Sequence, residues 1–280
     1  MKPVSYSEIA KYDNCQRAYY YNFILGLQPQ EMSEALSTGV KGHQLLQNFY
    51  NLMQKGVEKT EALKITTLSA KNLINGGPLP DMALMTAWML VEQYIKNTDF
   101  KAKPVLVENR FLFPVSQLTD DPALAEVQIG FTPDVVFERS GGFVDVEDAK
   151  FIGRAWSKSK IDGFQQAKLY QILLNRMGYK VGRSGVRFFN TKTYKITEDF
   201  KPLEKAEEGV ILRDFLSGIR QMLSYREGSS ELLTSARRTL NNNNCQYCPF
   251  TYPCTLEAKG KDASKVFNAL FVKRDYDYTQ

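Results

Sequence analysis

The chain has 280 residues, of which 43% are hydrophobic, and it carries a formal net charge of +5 at pH 7. This apolar content is sufficient for a core, so the composition indicates a globular protein. No run of eighteen or more uncharged apolar residues occurs, and the first ten residues lack the apolar stretch of a secretion signal. We therefore expect a soluble, cytoplasmic protein with no membrane partner.

Helices are predicted along the first hundred residues. Ser5 followed by Glu8 forms a capping box, which predicts a short helix that ends before Cys15. Two further helices are predicted over residues 59–74 and 82–97, where apolar residues recur at helical spacing.

Another helix is predicted between a breaker region around Gly39 and a stop at Gly56. His43, the only histidine in the chain, stands at the start of this helix. A lone histidine at a helix start is more often an ordinary, partly buried residue than a ligand, so its position alone does not predict a metal site.

Strands follow the helices. The segments PVLVENRFLFPV, VQIGFTPDVVFE and GFVDVEDAKF are rich in Val, Phe and Ile, and we expect them to form a meander of three strands. A helix from Asp162 to Met177 follows, with Asp162 as its N-cap, then a strand at GVRFFNT and a helix over residues 205–226. This order predicts an α/β or α+β core with a helical N-terminal part folded over it.

The hairpin in the middle of the chain places charges on an apolar strand face. Asp148 and Lys150 share a face with two valines, and charges turned towards a core need a partner or a metal. If the loop has three residues, Asp134 falls opposite Asp148 with Cβ atoms about 5 Å apart, whereas a two-residue loop sends the two to opposite faces. Two facing carboxylates indicate Mg²⁺ or Mn²⁺. The alternative is that Asp134 ends a turn and Asp148 only pairs with Lys150.

Four cysteines without an export signal argue against a disulfide framework and indicate either free thiols or metal ligands. Three lie together in CQYCPFTYPC and the fourth lies near the start of the chain in YDNCQRAYYY. Structural zinc sites usually bring two close pairs of cysteines, so this spacing leaves the identity of the metal open. The four residues are Cys15, Cys245, Cys248 and Cys254.

A basic stretch spans residues 151–190, where eight Lys and Arg residues stand against one acid, a local balance of +7. Such a run is either a solvated face or a track for a polyanion. Trp156 lies inside it, and its ring either stacks on bases or packs in the core. The four basic residues that we select as candidates for nucleic-acid binding are Arg154, Lys158, Lys160 and Lys168.

Taken together, these motifs resemble the PD-(D/E)xK nuclease superfamily. An upstream Gly-x-x-x-His element and a Gln-x-x-x-Tyr helix resemble its RecB-like branch. The cysteine spacing resembles the iron-sulfur framing of AddB-type and CRISPR-adaptation exonucleases. The residues that carry the likeness are Gly39, His43, Pro133, Asp134, Asp148, Ala149, Lys150, Gln166, Tyr170 and the four cysteines.

The resemblance implies a catalytic centre. Asp134, Asp148, His43 and the carbonyl of Ala149 would hold Mg²⁺ or Mn²⁺, and Lys150 would position or deprotonate the attacking water.

Two helix residues and one further acid complete the candidate list. The resemblance implies that Gln166 orients the water or Lys150 and that Tyr170 donates a hydrogen bond to a phosphate. A core-facing helical stripe explains the same two residues without any catalytic role. Glu108, in VLVENRF, is a further acid, for which a strand-edge position is the favoured interpretation.

The resemblance also implies the architecture: a restriction-endonuclease-like α/β fold with a mixed central sheet flanked by helices. We expect a helical region at 1–100, the nuclease core at 101–230 and a cysteine-bearing segment at 231–280, all in one integrated domain. A [4Fe-4S] cluster, or alternatively a structural Zn²⁺, would clamp the N-terminal helices to the C-terminal segment.

The function that the resemblance implies is metal-dependent hydrolysis of DNA. We expect an exonuclease that acts on single-stranded ends, with the basic stretch as its nucleic-acid track. The alternatives are a non-catalytic iron-sulfur subunit that binds DNA or supports assembly, and a structure-specific endonuclease.

Overall fold

The computed structural model describes residues 3–77, 79–227, 236–239 and 245–274. The chain forms two compact units, each assembled from separate stretches of sequence. The terminal unit comprises Met1–Met32, Leu112–Gly130 and Leu212–Gln280, and the sheet unit comprises Ser33–Phe111 and Phe131–Ile211. Across the described ranges, none of the helices combines the length and the apolar character needed to cross a bilayer.

The sheet unit contains a mixed sheet of five strands in the order β2-β5-β6-β7-β8. Neighbouring strands are antiparallel except β6 and β7, which run parallel. A parallel pair needs a crossover connection, and a helix supplies it here. The strands are β2 (Lys103–Val107), β5 (Val135–Glu138), β6 (Phe143–Ile152), β7 (Lys180–Asn190) and β8 (Ile196–Lys201).

Helices cover the sheet. Helices α3 (Glu34–Gln54), α4 (Lys59–Ile74) and α5 (Met82–Asn97) contribute to one apolar cluster together with Ala149 of β6. Helix α7 (Gln166–Arg176) packs on β6 and β7 instead. Consecutive residues of a strand face opposite sides of the sheet. In β6, Ala149 therefore faces one helical layer, and its neighbours Asp148 and Lys150 face the other.

The terminal unit brings together the two ends of the described chain. Ser5 Oγ accepts a hydrogen bond from the amide of Glu8, which caps the first helix as predicted. The Glu8 carboxylate is buried and accepts a hydrogen bond from Arg226, whose Nε also donates to Tyr19 at 2.6 Å. A buried carboxylate needs such a partner, so this ion pair fixes the first helix against the eighth.

The remaining elements are short, apart from one long helix. Helix α8 begins in the sheet unit and ends in the terminal unit, and β1 pairs with β9 antiparallel. These elements are α1 (Tyr6–Asn14), α2 (Gln16–Tyr19), a π-helix (Tyr20–Ile24), β1 (Leu27–Pro29), β3 (Phe111–Pro114), β4 (Gln128–Phe131), α6 (Lys158–Asp162), α8 (Lys205–Glu227), α9 (Thr251–Ala258), α10 (Ser264–Leu270) and β9 (Phe271–Lys273).

The structure confirms the helices predicted over 59–74 and 82–97 and the long helix near 205–226. It contradicts the breaker at Gly39, because Ser33 caps a helix that passes through that residue. His43 therefore lies inside α3 and not at its start. The predicted N-cap at Asp162 is also wrong, since Asp162 ends α6 and the next helix begins only at Gln166.

The strand pattern also differs from the expectation. The first two predicted strands are each broken in two, at residues 108–110 and 132–134, and β8 was not predicted. The division into regions at 1–100, 101–230 and 231–280 stays a prediction.

A buried ion pair lies on β6 and β7. Arg187 contacts both oxygens of Glu147 at 2.7 and 2.8 Å, and its guanidinium lies 4.6 Å from the centroid of the Tyr94 ring. Glu147 is 2% exposed. Removal of Arg187 would leave the charge of Glu147 buried without this ion pair, whereas Arg187 has a second acidic partner in Glu198.

We predict that Arg187→Met lowers the free energy of unfolding by about 3–5 kcal/mol, and that adding Glu147→Gln to that variant restores part of the loss. The matched control is Arg176→Met, which removes a half-exposed pair with Glu208 and should cost about 1 kcal/mol or less. Urea unfolding followed by circular dichroism measures all three variants. Equal losses for the two single variants would contradict this account.

Candidate active site

The hairpin between β5 and β6 has the three-residue loop that brings two aspartates together. Arg139 donates its amide to the Phe143 carbonyl at 2.7 Å, and the loop between them contains two glycines with φ of 77° and 74°. Positive φ at both positions suits glycine. Val135 lies opposite Glu147, so the register places Asp134 opposite Asp148, as the sequence predicts for this loop.

Three side chains converge beside this hairpin. Ligand atoms of His43, Glu108 and Asp134 all lie within 4.8 Å of one another. His43 Nδ1 is 3.4 Å from Asp134 Oδ2 and 3.9 Å from Glu108 Oε1, and Asp134 Oδ2 also accepts the Ala149 amide at 2.6 Å. Two carboxylates and an imidazole at this separation form a donor set that suits a divalent cation.

Asp148 is the most buried acid of the site. Its side chain is 1% exposed, and Lys150 Nζ lies 2.8 Å from Oδ2 as an ion pair. Within the described part of the chain, no donor forms a hydrogen bond of suitable geometry with Oδ1. A buried carboxylate oxygen without a donor is costly, and a cation would remove that cost. The residues therefore fit a divalent metal.

Burial sets the protonation of these acids. It raises the pKa of Asp148 to about 6 against the opposing effect of Lys150, and it raises the pKa of Asp134 to about 6 as well. Burial and the two aspartates raise the pKa of Glu108 to about 7. Burial and the charge of Lys150 lower the pKa of His43, which favours the neutral imidazole that a metal requires.

A relay of polar side chains extends from Lys150 to helix α7. Lys150 Nζ lies 3.5 Å from Gln166 Oε1, and Gln166 Nε2 donates to the Tyr170 hydroxyl at 2.9 Å. The Tyr170 ring packs on Phe131 with centroids 5.4 Å apart, and burial raises the pKa of Tyr170. Gln166 thus contacts both the lysine and the tyrosine, so both polar ends of this half-buried amide have partners.

Glu108 belongs to this group, and it directly follows β2, the strand at one edge of the sheet. Its amide donates to the Asp134 carbonyl at 3.1 Å, and its φ of 51° turns the chain sharply at the end of β2. A non-glycine residue in this conformation is uncommon and often marks a functional site. The signal in the sequence was the polar Glu-Asn pair that interrupts an apolar run.

Ion pairs neutralise several residues of the basic stretch in the folded protein. Lys168 pairs with Glu207 at 2.7 Å and Lys158 with Asp162 at 3.3 Å, while Arg154 and Lys160 are exposed. Acids from distant parts of the chain neutralise further members of the stretch. The additional pairs are Arg176–Glu208, Arg183–Asp145 and Arg187–Glu147.

The cysteines lie in the terminal unit. Cys15, Cys248 and Cys254 pack against one buried apolar cluster, which includes Tyr21, and Cys245 Sγ lies 3.6 Å from the carbonyl of residue 239. Among the residues that the structure describes, no three cysteine sulfurs lie within 4.8 Å of one another. Metal ligation by the four thiols therefore stays a prediction.

Comparison with known proteins places the chain in a family. The model of the PD-(D/E)XK nuclease superfamily matches residues 3–255. The chain belongs to this superfamily. It is therefore a nuclease by family, and the group of His43, Glu108 and Asp134 agrees with the divalent metal that such nucleases generally use.

Two solved structures are similar to the nuclease. A candidate exonuclease from Eubacterium rectale shares 11% identity with a TM-score of 0.50, covering 90% of this chain and 87% of its own. The protein SSO0001 shares 18% identity with a TM-score of 0.36, covering 75% and 82%. No curated protein matches the chain.

Two glycines of α3 provide a matched pair of substitutions in this nuclease. A Cβ on Gly42 would overlap the ring of Phe151, which stacks on Phe189 at 4.7 Å and lies next to His43, whereas no atom lies within 4 Å of the corresponding position at Gly39. We predict that Gly42→Ala destabilises the fold by about 1–3 kcal/mol and impairs cleavage. Gly39→Ala should leave the stability unchanged or raise it by up to about 1 kcal/mol.

Thermal unfolding and a cleavage assay measure the pair. Because the clash lies at Phe151, adding Phe151→Leu to Gly42→Ala should recover stability. Equal effects of the two alanines would contradict a specific packing role for Gly42.

The raised pKa values of the buried acids predict how the stability of the metal-free nuclease depends on pH. Because the folded state raises the pKa of Asp134 and Asp148 above the usual value, it binds more protons than the unfolded chain at mildly acidic pH. The contribution of these acids to stability is therefore lost as pH rises from about 4 to about 7. Mn²⁺ should raise the melting temperature more at pH 7.5 than at pH 5, since it binds the ionised carboxylates.

Asp148→Asn should remove most of the Mn²⁺-dependent rise, while Asp99→Asn, at a carboxylate that is 81% exposed, should leave it intact. Differential scanning fluorimetry in buffers of matched ionic strength measures both. A metal response that survives Asp148→Asn would argue against the site.

Proposed function

We propose that this nuclease is a metal-dependent deoxyribonuclease and that it acts as an exonuclease on single-stranded DNA ends. The observation that carries the proposal is the meeting of Asp134 and Asp148 across the hairpin, next to Lys150. Hydrolysis of a phosphodiester needs a nucleophilic water and a positive charge beside the phosphate, and a bound Mg²⁺ or Mn²⁺ supplies both.

The metal ligands in this proposal are the acids and the imidazole beside the hairpin. Asp134 and Asp148 contribute carboxylate oxygens, His43 contributes a ring nitrogen, and Ala149 contributes its carbonyl. We add Glu108, because its Oε1 lies within reach of the same point as His43 and Asp134.

Lys150, Gln166 and Tyr170 act on the water and the phosphate in this proposal. Lys150 lies beside the carboxylate of Asp148, where its ammonium can orient the water, or where its neutral amine can accept a proton from the water. Gln166 holds Lys150 through its carbonyl oxygen and Tyr170 through its amide. The Tyr170 hydroxyl would then donate a hydrogen bond to a phosphate oxygen.

The four cysteines form the second part of the proposal. We infer that Cys15, Cys245, Cys248 and Cys254 ligate a [4Fe-4S] cluster that clamps the N-terminal helices to the C-terminal segment of the terminal unit. Three of them already share one apolar cluster. A shell of apolar side chains around thiolate ligands limits access of water to such a cluster.

The cluster assignment has a direct test. Protein purified without oxygen should be brown and contain iron, and Cys248→Ser should remove both the colour and the iron. Ser7→Ala in the same unit serves as a control that changes no cysteine. Colourless protein with stoichiometric zinc would contradict the cluster and favour a structural Zn²⁺.

Cleavage assays test the catalytic proposal. The substrates are end-labelled linear single strands, linear duplexes and single-stranded circles, each with Mg²⁺, with Mn²⁺ or with chelator. We predict metal-dependent loss of linear single strands from their ends, with circles left uncut. Cut circles would favour a structure-specific endonuclease, and DNA binding without any cleavage would favour a non-catalytic subunit.

Lys150→Ala should lower kcat by about 10²–10⁴-fold, because it removes the group beside the water, while binding of an oligonucleotide in Ca²⁺ stays close to that of the wild type. Lys64→Ala is the control, since this lysine is 74% exposed on α4. Cleavage at the wild-type rate by Lys150→Ala would contradict the assigned role.

A further inference from the structure

The segment between β6 and α7 carries an aromatic cluster beside the candidate active site. The ring centroid of Trp156 lies 5.4 Å from that of Phe164 and 5.1 Å from that of Phe188. We call these three residues the aromatic wall. Phe188 lies opposite Lys150 in the parallel ladder of β6 and β7.

The aromatic wall also touches the lysine of the site directly. The ring of Phe164 lies 5.4 Å from Lys150 Nζ, the atom that also contacts Gln166. Trp156 is therefore one ring away from the group that we assign to the attacking water. A nucleotide bound at that water would bring its own base, or the next base along the strand, near Trp156.

A lysine lies over the ring of the Trp156 indole. Lys160 Nζ lies 4.2 Å from the indole centroid, and the Lys160 side chain is exposed at the surface on the short helix α6. Phe164 meets the indole at 66° and Phe188 at 59°, so neither of them stacks on it. An exposed cation–π contact is weaker than the stacking of a nucleic-acid base on an aromatic ring, so a base can replace the lysine.

We propose that Trp156 is the stacking site for an unpaired base of the DNA strand beside the scissile phosphate, and that Lys160 moves from the indole to a backbone phosphate when the base binds. The inference rests on the proposed nuclease function and deepens it, because it names the residue that would select an unpaired base of the single-stranded substrate. A base inside a duplex is stacked on both sides and does not offer a face to Trp156. Stacking tolerates every base, so we expect no sequence preference.

Tryptophan fluorescence reports on this site directly, because the chain has only two tryptophans. Trp88 is buried in the sheet unit at 5% exposure, so Trp88→Phe leaves Trp156 as the only emitter. The probe is a thymidine oligonucleotide in Ca²⁺. We expect it to quench the emission of Trp88→Phe, while a hairpin duplex with a closed end does not, and Trp156→Phe should show no quenching.

The wild type and Trp156→Phe provide the same comparison if Trp88→Phe does not fold, since the difference between their responses belongs to Trp156. Quenching by single-stranded DNA that occurs in the wild type and not in Trp156→Phe supports the proposal. No quenching, or equal quenching by single strand and duplex, overturns it. A response to a uridine ribonucleotide oligomer with none to the thymidine oligomer also overturns it.

Kinetics give the second readout. We expect Trp156→Ala to raise KM for single-stranded DNA about tenfold, with kcat and the rate on duplex changed far less, and Trp156→Phe to restore most of the affinity. Phe143→Ala, at an exposed aromatic residue at the other end of β6, should change none of these values. A loss of kcat on every substrate without rescue by phenylalanine indicates a packing role and overturns the proposal.

The two assays separate this inference from the function on which it rests. Metal-dependent cleavage together with an unresponsive Trp156 rejects the stacking site and leaves the nuclease intact. Absence of cleavage under all metal conditions rejects the proposed function, and the fluorescence titration then still decides whether Trp156 binds single-stranded DNA.

Discussion

The structure depends on one constraint: two aspartates are held together, mostly out of water, by the register of a hairpin. Asp134 and Asp148 face each other because the loop has three residues, and a loop shorter by one residue would separate them. Burial raises the pKa of both to about 6, so their charges are costly in the folded chain without a cation. The requirement for a metal follows from this cost, since Asp148 Oδ1 is buried with no suitable donor among the described residues.

The surrounding elements contribute the other side chains of the site. Helix α3 brings His43 to Asp134, and α7 brings Gln166 to Lys150. Along β6, Phe151 lies next to His43 while Lys150 lies next to Gln166, because adjacent residues of one strand face opposite layers. Close contact of α3 with Phe151 requires glycine at residue 42, so a residue without a side chain contributes to the position of the imidazole.

Local sequence patterns predicted a good part of this arrangement. The alternation of side chains along the strands, together with the loop length, predicted that the two aspartates face each other. The helical spacing of apolar residues predicted three of the long helices. Long-range contacts account for what was missed. Glu108 reaches the site through a kink at positive φ that depends on how β2 pairs with β5, and the basic stretch loses charge to acids distant in sequence, such as Glu207. The start of α7 at Gln166 was not predicted either, because Asp162 is a better local cap than Gln165, whose side chain makes no capping hydrogen bond.

The most direct measurement of the central claim is the position of a bound metal. Crystals grown with Mn²⁺ and measured near the manganese absorption edge would show the ion as a peak of anomalous scattering. The account predicts a peak between the carboxylates of Asp134 and Asp148, within bonding distance of both. A structure at saturating Mn²⁺ in which the ion lies elsewhere, or in which these carboxylates point to opposite faces of the sheet, would contradict it.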